Sequence, residues 1–193
     1  MANPRRTTPE RMAAFSDGVF AVIITVMVLE LKPPHQFTFR ALAQLWPMLL
    51  SYAVSYLFIA IVWVNHHHLL RFAEEATPGL IWWNFVHLFL VSFLPFSTAW
   101  VSDSRFSPEP VCAYAVVFVL VDSAYCAFLH ETLHQAKKAV MSPRELRAIR
   151  LRAFTTLGAF ILAAVVALKF PFIGFAMIFA ILLAFIRPSL IDE

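Results

Sequence analysis

Charged residues are scarce in this 193-residue sequence. Only 14% of its residues are Asp, Glu, Lys or Arg, whereas 61% are hydrophobic. A water-soluble domain of this length needs a more polar surface, so the composition excludes an ordinary soluble fold. The sequence therefore indicates an integral membrane protein.

Glycine and cysteine are also rare. The chain has four glycines and no repeated ten-residue alternation, which excludes an outer-membrane barrel and leaves helices to satisfy the backbone in lipid. Cys112 and Cys126 lie 14 residues apart in one apolar run, too far along a straight helix to form a disulfide. No small-residue cleavage site follows the first apolar run, so we expect that run to be retained.

Six apolar runs are each close to the ~20 residues that a helix needs to cross a bilayer. Several begin after a hydroxyl residue followed by proline, at Thr8, Thr77, Ser107 and Ser142, which is typical of a capped helix start. The sequence predicts an all-α integral membrane protein that forms a single domain over residues 1–193. The predicted spans are residues 9–31, 43–66, 78–102, 108–130, 149–168 and 171–187.

The basic residues predict the orientation of the spans. With a cytoplasmic N-terminus, eleven Lys and Arg residues fall in inner segments and four in outer ones, so we expect both termini in the cytoplasm. The basic segment 137–152 is expected to meet anionic lipid headgroups, and no soluble fold supports a nucleic-acid role. All five tryptophans lie near predicted span ends, as in an interfacial belt.

The first span contains an acidic residue, Asp17, within RMAAFSDGVFAVIITVMVLEL at residues 11–31. If Asp17 were only a helix cap, the remaining 14 residues would reach ~21 Å, short of a ~30 Å hydrocarbon core. We therefore expect Asp17 inside the helix, facing other helices of its own subunit, where a carboxylate needs donors. The candidate donors at that depth are Arg11, His66, His67, His68 and Asn84.

A second face of the first span carries a stripe of four residues. At 100° per residue, Gly18, Val22, Thr25 and Leu29 fall within an arc of about 60°. Asp17 points about 140° away from Val22 on the same helix. The acid and the stripe therefore face different neighbours.

Three stretches of the sequence share features with one known family. Arg11 precedes Phe15-Ser16-Asp17-Gly18 at the head of the first span, WVNHHHLL occupies residues 63–70, and NFVHLFLVSFLPFST occupies residues 84–98. In these stretches the chain resembles the transmembrane protein 175 family of potassium channels. The R-x-x-x-F-S-D pattern is the specific part of this resemblance, which runs through the first three spans.

The resemblance implies a channel and no enzymatic activity. Family members with one six-helix repeat are homotetramers whose first helices line a central, potassium-preferring pore. For this chain the resemblance implies potassium and other monovalent cations as permeant ions, and no cofactor. It also implies the plasma membrane of a prokaryote, because members with one repeat are prokaryotic.

The resemblance also implies roles for named residues. Carried over by position, Val22 and Leu29 form a hydrophobic constriction and Thr25 a hydroxyl layer. Because the sequence has no TVGYG-like filter, these side chains would set ion preference. The family commonly has a larger Ile or Leu at the position of Val22, so we expect a wider constriction and a weaker preference for potassium over sodium. The implied structural network around the pore helix is Arg11, Phe15, Ser16, Asp17, His66, His67 and Asn84.

Two other patterns suggest other functions. HETLH at residues 130–134 matches the H-E-x-x-H zinc motif of a metallopeptidase, but no histidine follows it to supply a third ligand. We instead expect its histidines to favour a helix C-terminus and Glu131 to meet Lys137 or Lys138. Asp122, within the fourth span, is compatible with a proton-coupled cation exchanger, although that span has no glycine or interior proline.

The three consecutive histidines His66, His67 and His68 resemble a metal cluster. Consecutive helical residues point 100° apart, so their imidazoles cannot converge on one ion. We expect one or two of them to donate to Asp17 or to the backbone. Because histidine titrates near neutrality, acidification is expected to loosen such a network and to change channel opening.

Overall fold

The structure, a computed structural model, describes residues 8–135 and 143–186. These residues form eight helices. The helices are α1 (Pro9–Leu29), α2 (Phe39–Ala43), α3 (Trp46–Leu70), α4 (Pro78–Val91), α5 (Leu94–Asp103), α6 (Pro108–Gln135), α7 (Pro143–Ala167) and α8 (Pro171–Ile186).

Five apolar helical segments are long enough to cross a membrane, and they coincide with the first five predicted spans. The chain is therefore a multi-pass membrane protein. α8 has 16 residues and reaches about 24 Å, so a sixth crossing stays a prediction. The five segments are Pro9–Leu29, Trp46–Leu70, Pro78–Asp103, Pro108–His134 and Arg144–Ala167.

Hydroxyl side chains begin several of these helices, as predicted. The hydroxyl of Thr8 accepts from the backbone N–H of Arg11 at 3.4 Å, and that of Thr77 accepts from the N–H of Leu80 at 3.2 Å. In both helices a proline occupies the first turn, where its missing N–H costs nothing. Ser142, which precedes α7, lies outside the described residues.

The observed helix ends differ from the predicted span ends by up to six residues. α3 begins at Trp46 rather than at residue 43, because Pro47 suits a first turn and the short α2 occupies the preceding residues. α7 begins at Pro143, six residues before the predicted start, so most of the basic segment from residue 144 onward is helical. The part of that segment at residues 137–142 is outside the described residues.

The third predicted span consists of two helices rather than one. Pro95 has no N–H to donate to the carbonyl of Val91, so α4 ends there and α5 begins at Leu94. Hydrogen bonding resumes where the N–H of Ser97 donates to the carbonyl of Phe93 at 3.0 Å. Residues 92–93 form the turn between α4 and α5.

The interior contains two apolar clusters with a polar layer between them. α6 packs against α3, α4, α5, α7 and α8 and contributes to both clusters. The larger cluster contains Phe20, Phe58, Phe118 and Phe160, and the smaller contains Met12, Leu69, Leu80 and Phe128. On α1, α3 and α4 the two clusters are separated by buried polar side chains. These are Ser16, His66, Asn84 and His87.

Candidate functional site: the two faces of the first helix

α1 has one face inside the protomer and one outside. Its buried residues recur every three or four positions, the spacing of a single helical face. They are Met12, Ser16, Phe20, Ile23 and Met27. Only a quarter or so of the apolar part of α1 is buried, so most of its surface faces away from the subunit.

The outward face contains the whole predicted stripe. Val22 is 60% exposed and Leu29 is 76% exposed, and Gly18 and Thr25 are exposed as well. A Cβ atom on Gly18 would have no neighbour within 4 Å. The protomer therefore leaves most of the surface of Val22 and Leu29 uncovered.

The hydroxyl of Thr25 donates to the carbonyl of Val22 in the same helix at 2.8 Å. This bond uses the only hydroxyl proton and leaves the oxygen lone pairs available. Thr25 therefore presents an electron-rich oxygen between two apolar exposed residues. Such an oxygen can accept a hydrogen bond from water or contact a cation.

On the inward face, a chain of hydrogen bonds joins α1 to α3 and α4. His66 Nε2 donates to Asn84 Oδ1 at 2.7 Å, since an amide oxygen can only accept. Asn84 Nδ2 donates to Ser16 Oγ at 3.0 Å, and Ser16 Oγ donates to the carbonyl of Met12 at 2.9 Å. All three side chains are buried, and their polar atoms are paired in a consistent donor-to-acceptor order.

Asp17 does accept a hydrogen bond from a neighbouring helix, but the donor is Trp63. The indole Nε1 lies 2.8 Å from Asp17 Oδ1, whereas the expected partner His66 donates to Asn84, and Asn84 donates to Ser16. Asp17 points about 100° from Ser16 and so meets a different edge of α3. The signal for this contact was an indole, a donor-only group, one turn before the histidines, which the interfacial-belt interpretation overlooked.

The other predicted network residues lie around this contact. His67 stacks on Trp63 with ring centroids 5.6 Å apart, and Arg71 Nη2 donates to His67 Nε2 at 3.3 Å. Phe15 packs edge-on against Phe85, at 5.4 Å and an interplanar angle of 63°. Arg11 is exposed, and it lies seven residues before Gly18, on the side of α1 that bears the stripe.

The HETLH segment occupies the last turns of α6. His130 and His134 are exposed, and Glu131 Oε1 instead accepts from the hydroxyl of Thr77 at 3.3 Å. A Cβ on Gly79 would be 3.0 Å from the same oxygen, so the carboxylate lies against the N-terminus of α4, where it is favoured electrostatically. The predicted partners of Glu131, Lys137 and Lys138, are outside the described residues.

Comparison with known proteins reveals one family. A family model described as "Endosomal/lysosomal potassium channel TMEM175" matches residues 11–95, from the start of α1 into α5. A potassium channel of Chryseobacterium sp. (strain P1-3) is 29% identical over 182 residues, which cover 94% of each chain. A potassium channel of Streptomyces collinus is 34% identical over 160 residues, 77% of each chain.

A solved structure also resembles this chain. It is the crystal structure of a lysosomal potassium-selective channel TMEM175 homolog from Chamaesiphon minutus. The two superpose with a TM-score of 0.81 at 26% sequence identity, over 92% of this chain and 96% of that one.

Proposed function

This chain belongs to the TMEM175 family of potassium channels, and we propose that four copies conduct potassium through a central pore lined by α1. The observation that supports this proposal is the outward face of α1. Its exposed stripe carries a hydroxyl residue and a glycine among apolar side chains, which a purely lipid-facing surface does not need. Four such stripes around one axis would enclose a narrow, mostly apolar conduit.

The stripe residues have distinct roles in the proposed pore. Rings of Val22 and Leu29 form apolar constrictions that admit water poorly and gate by dewetting. Thr25 lies between them, and its free lone pairs stabilise a partly dehydrated cation. Potassium is preferred because its hydration shell is the more easily removed, and the small Val22 side chain makes the preference modest.

The inward contacts of α1 hold the stripe in position. The hydrogen bonds of Ser16 and Asp17 with α3 and α4 fix the rotation of α1 about its axis, and the Phe15–Phe85 contact adds to them. The proposed role of Asp17 is therefore structural, and it is not a pore ligand.

The proposed channel is a homotetramer with six spans per subunit and both termini in the cytoplasm, in the plasma membrane of a prokaryote. The exposed arginines Arg144, Arg147 and Arg150 at the start of α7 meet anionic lipid headgroups. The permeant ions are potassium and, less readily, other monovalent cations. No cofactor, nucleic acid or catalytic step has a role in this proposal.

Cysteine modification tests the pore directly. In a background with Cys112 and Cys126 replaced by alanine, Val22→Cys should be modified by a charged thiol reagent and the potassium current should be blocked. Val28→Cys is the matched control, because Val28 is 46% exposed but points about 120° from Val22 on the helix. Block at Val28 with no block at Val22 would contradict the assignment.

Two alanine variants separate the pore role from the structural role. Thr25→Ala should change the reversal potential under a potassium and sodium gradient while the tetramer stays intact. Asp17→Ala should weaken assembly or opening without changing ion preference. Size-exclusion profiles and reversal potentials of both variants provide the measurement, and the opposite pairing of effects would contradict both roles.

A second candidate function, a proton-coupled cation exchanger with Asp122 as carrier, is favoured by one observation: Asp122 Oδ2 is buried and has no hydrogen-bond partner among the described residues. In an exchanger Asp122→Asn abolishes flux, whereas in the proposed pore it leaves a conducting channel. α6 is continuous through Asp122, unlike the broken helices that usually carry exchange sites. Single-channel steps that persist in Asp122→Asn would decide for the pore.

A further inference from the structure

A small, partly open cavity lies between helices of the protomer, and its lining includes no residue of α1. Its walls come from α3, α4, α6, α7 and α8, and its volume is about 40 Å³. Aromatic and aliphatic side chains form most of the wall. The polar residues that line it are Asn65, His87, Asp122, Tyr125 and Thr156.

Two buried atoms at this cavity have no hydrogen-bond partner among residues 8–135 and 143–186. They are Nε2 of His87, a residue with no exposed surface, and Oδ2 of Asp122. The other ring nitrogen of His87 lies 3.2 Å from the carbonyl oxygen of Val121. Because a carbonyl can only accept, Nδ1 must carry the proton, and Nε2 of the neutral ring therefore presents a lone pair.

The cavity thus combines an imidazole lone pair with a carboxylate oxygen, which are both acceptors when the acid is ionised. A buried polar atom without a partner costs ~1–3 kcal/mol, and an isolated buried carboxylate costs far more. A water molecule needs roughly 10–15 Å³ of such volume and two to four polar partners, so the cavity has room for about three or four waters. A proton together with water supplies the donors that both atoms require.

We propose that this cavity is a protonation site within each subunit, in which Asp122 and His87 share one proton through bound water. An alkali metal ion fits less well, because an imidazole nitrogen is a poor ligand for hard cations, which prefer oxygen. The site is separate from the proposed pore. It takes its proton from water and releases it to water, so no other reactant is needed.

The surroundings limit which other groups can take part. α3 contributes His66, whose ring stacks on that of His87 at 6.0 Å and 7°. α6 contributes Tyr125 and Cys126, both within electrostatic range of Asp122. α7 contributes Arg152, which acts on Tyr125 electrostatically and lies 4.4 Å from the ring of Phe185. α8 lines the cavity with Leu182 and Phe185.

The site has a short connection to α1. His87 stacks on His66, His66 donates to Asn84, and Asn84 donates to Ser16 of α1. A proton on His87 would leave a buried imidazolium beside a buried carboxylate, whereas a proton on Asp122 leaves both groups neutral, so the shared proton is best held on the Asp122 side. If the proposed pore is correct, occupancy of the site changes channel opening through this chain of contacts.

Infrared difference spectroscopy of the purified protein tests the site without any ion flux. Titration from about pH 8 to about pH 5, the range in which histidine changes charge, should reveal a C=O stretching band of a protonated carboxylic acid. The band should disappear in Asp122→Asn and shift in frequency in His87→Gln. It should stay in Ser123→Ala, since Ser123 is the exposed neighbour and donates only to Val119 of its own helix.

A titrating band that is unchanged in Asp122→Asn would overturn the proposal, as would the absence of any such band in the wild type. A band that is lost in Asp122→Asn but unaffected by His87→Gln would contradict the proposal that His87 shares the proton. These results are independent of the pore, because a protein that does not conduct can still show the band. In flux measurements, the change in potassium flux between about pH 8 and about pH 5 should be at least threefold smaller in Asp122→Asn than in the wild type. Ion preference should be unchanged.

Discussion

The two halves of the bundle pack by different means. In the first half, α1, α3 and α4 are joined by hydrogen bonds between buried side chains, with Asn84 at the centre. In the second half, α7 and α8 meet where Gly174 lies against Ala163 and Ala167. A Cβ on Gly174 would be 2.7 Å from the Cβ of Ala167 and 2.9 Å from the carbonyl oxygen of Ala163. α7 and α8 therefore pack closely through small residues.

The difference has a mechanical meaning. A hydrogen bond between helices is directional, so it fixes the rotation of each helix as well as the distance between them. Close contact of small residues fixes the distance but tolerates small rotations. A helix that must present one stripe to a symmetry axis needs its rotation fixed by interhelical hydrogen bonds, and α1 has such bonds.

The largest effect is expected from Asn84→Leu. The leucine leaves the buried Nε2–H of His66 without an acceptor and removes the donor to Ser16, so the free energy of unfolding should fall by about 3 kcal/mol. Thermal melting of the purified protein in detergent, followed by size exclusion, measures this loss. If Asn84→Leu had the same melting temperature as the wild type, the proposed difference between the two halves would be contradicted.

A double-mutant cycle sharpens the same prediction. Ser16→Ala and Asn84→Leu should have less than additive effects, because both remove one network. Ser92→Ala is the matched control, since its exposed hydroxyl donates only to Phe89 of its own helix. Additive losses would mean that Ser16 and Asn84 act independently.

The second effect tests the other half of the bundle. Gly174→Ala should destabilise by ~1–3 kcal/mol, because the added carbon meets the backbone of α7 and the helices must separate. Gly158→Ala is the control on the facing helix: a Cβ there meets nothing within 4 Å, so the change should be neutral or stabilise by up to ~1 kcal/mol. Thermal melting of both variants measures the effect. If Gly158→Ala lowered the melting temperature as much as Gly174→Ala, close packing at Gly174 would be contradicted.

The same contrast explains what the sequence could predict. Hydropathy predicted the positions of five spans, because any helix in lipid must be apolar over its length. The specific motif lies in the first half, where polar side chains pair across helices and only certain residues fit. No comparable motif marks the contact between α7 and α8, because an apolar run rich in alanine and glycine does not indicate which of these residues contact another helix.

Contacts between helices were the part that the sequence could not predict. His66 and Asn84 were named as candidate donors to Asp17, but they belong to the hydrogen-bond chain that ends at Ser16. Trp63 was missed because a tryptophan near a span end is typical of the membrane interface and gives no sign of a partner 46 positions away. The break in the third span depends on Pro95, whose effect in a membrane helix varies with the neighbouring helices.

A third prediction concerns a smaller network that joins α3 to α5 and α6. Ser55 is buried and lies 2.7 Å from the hydroxyls of both Thr98 and Tyr114. Ser55→Ala should lower the free energy of unfolding by ~1–2 kcal/mol, near the upper end for polar contacts in membranes. Ser51→Ala is the control, because Ser51 is equally buried one turn earlier but donates only to Met48 of its own helix. Equal melting temperatures would mean that the two interhelical bonds add nothing.

The smallest effect is expected from Trp63→Phe, which removes the indole donor to Asp17 at a partly exposed site. The loss should be about 0.6 kcal/mol, the average for a polar contact between membrane helices. Asp17→Asn separates two explanations, because an amide oxygen can still accept from the indole while the charge is gone. If the hydrogen bond fixes α1, Asp17→Asn should open and select ions like the wild type, and Trp63→Phe should show altered opening. If Asp17→Asn is instead the more damaging of the two, the negative charge itself matters, and the partner of Asp17 must be sought in a second subunit.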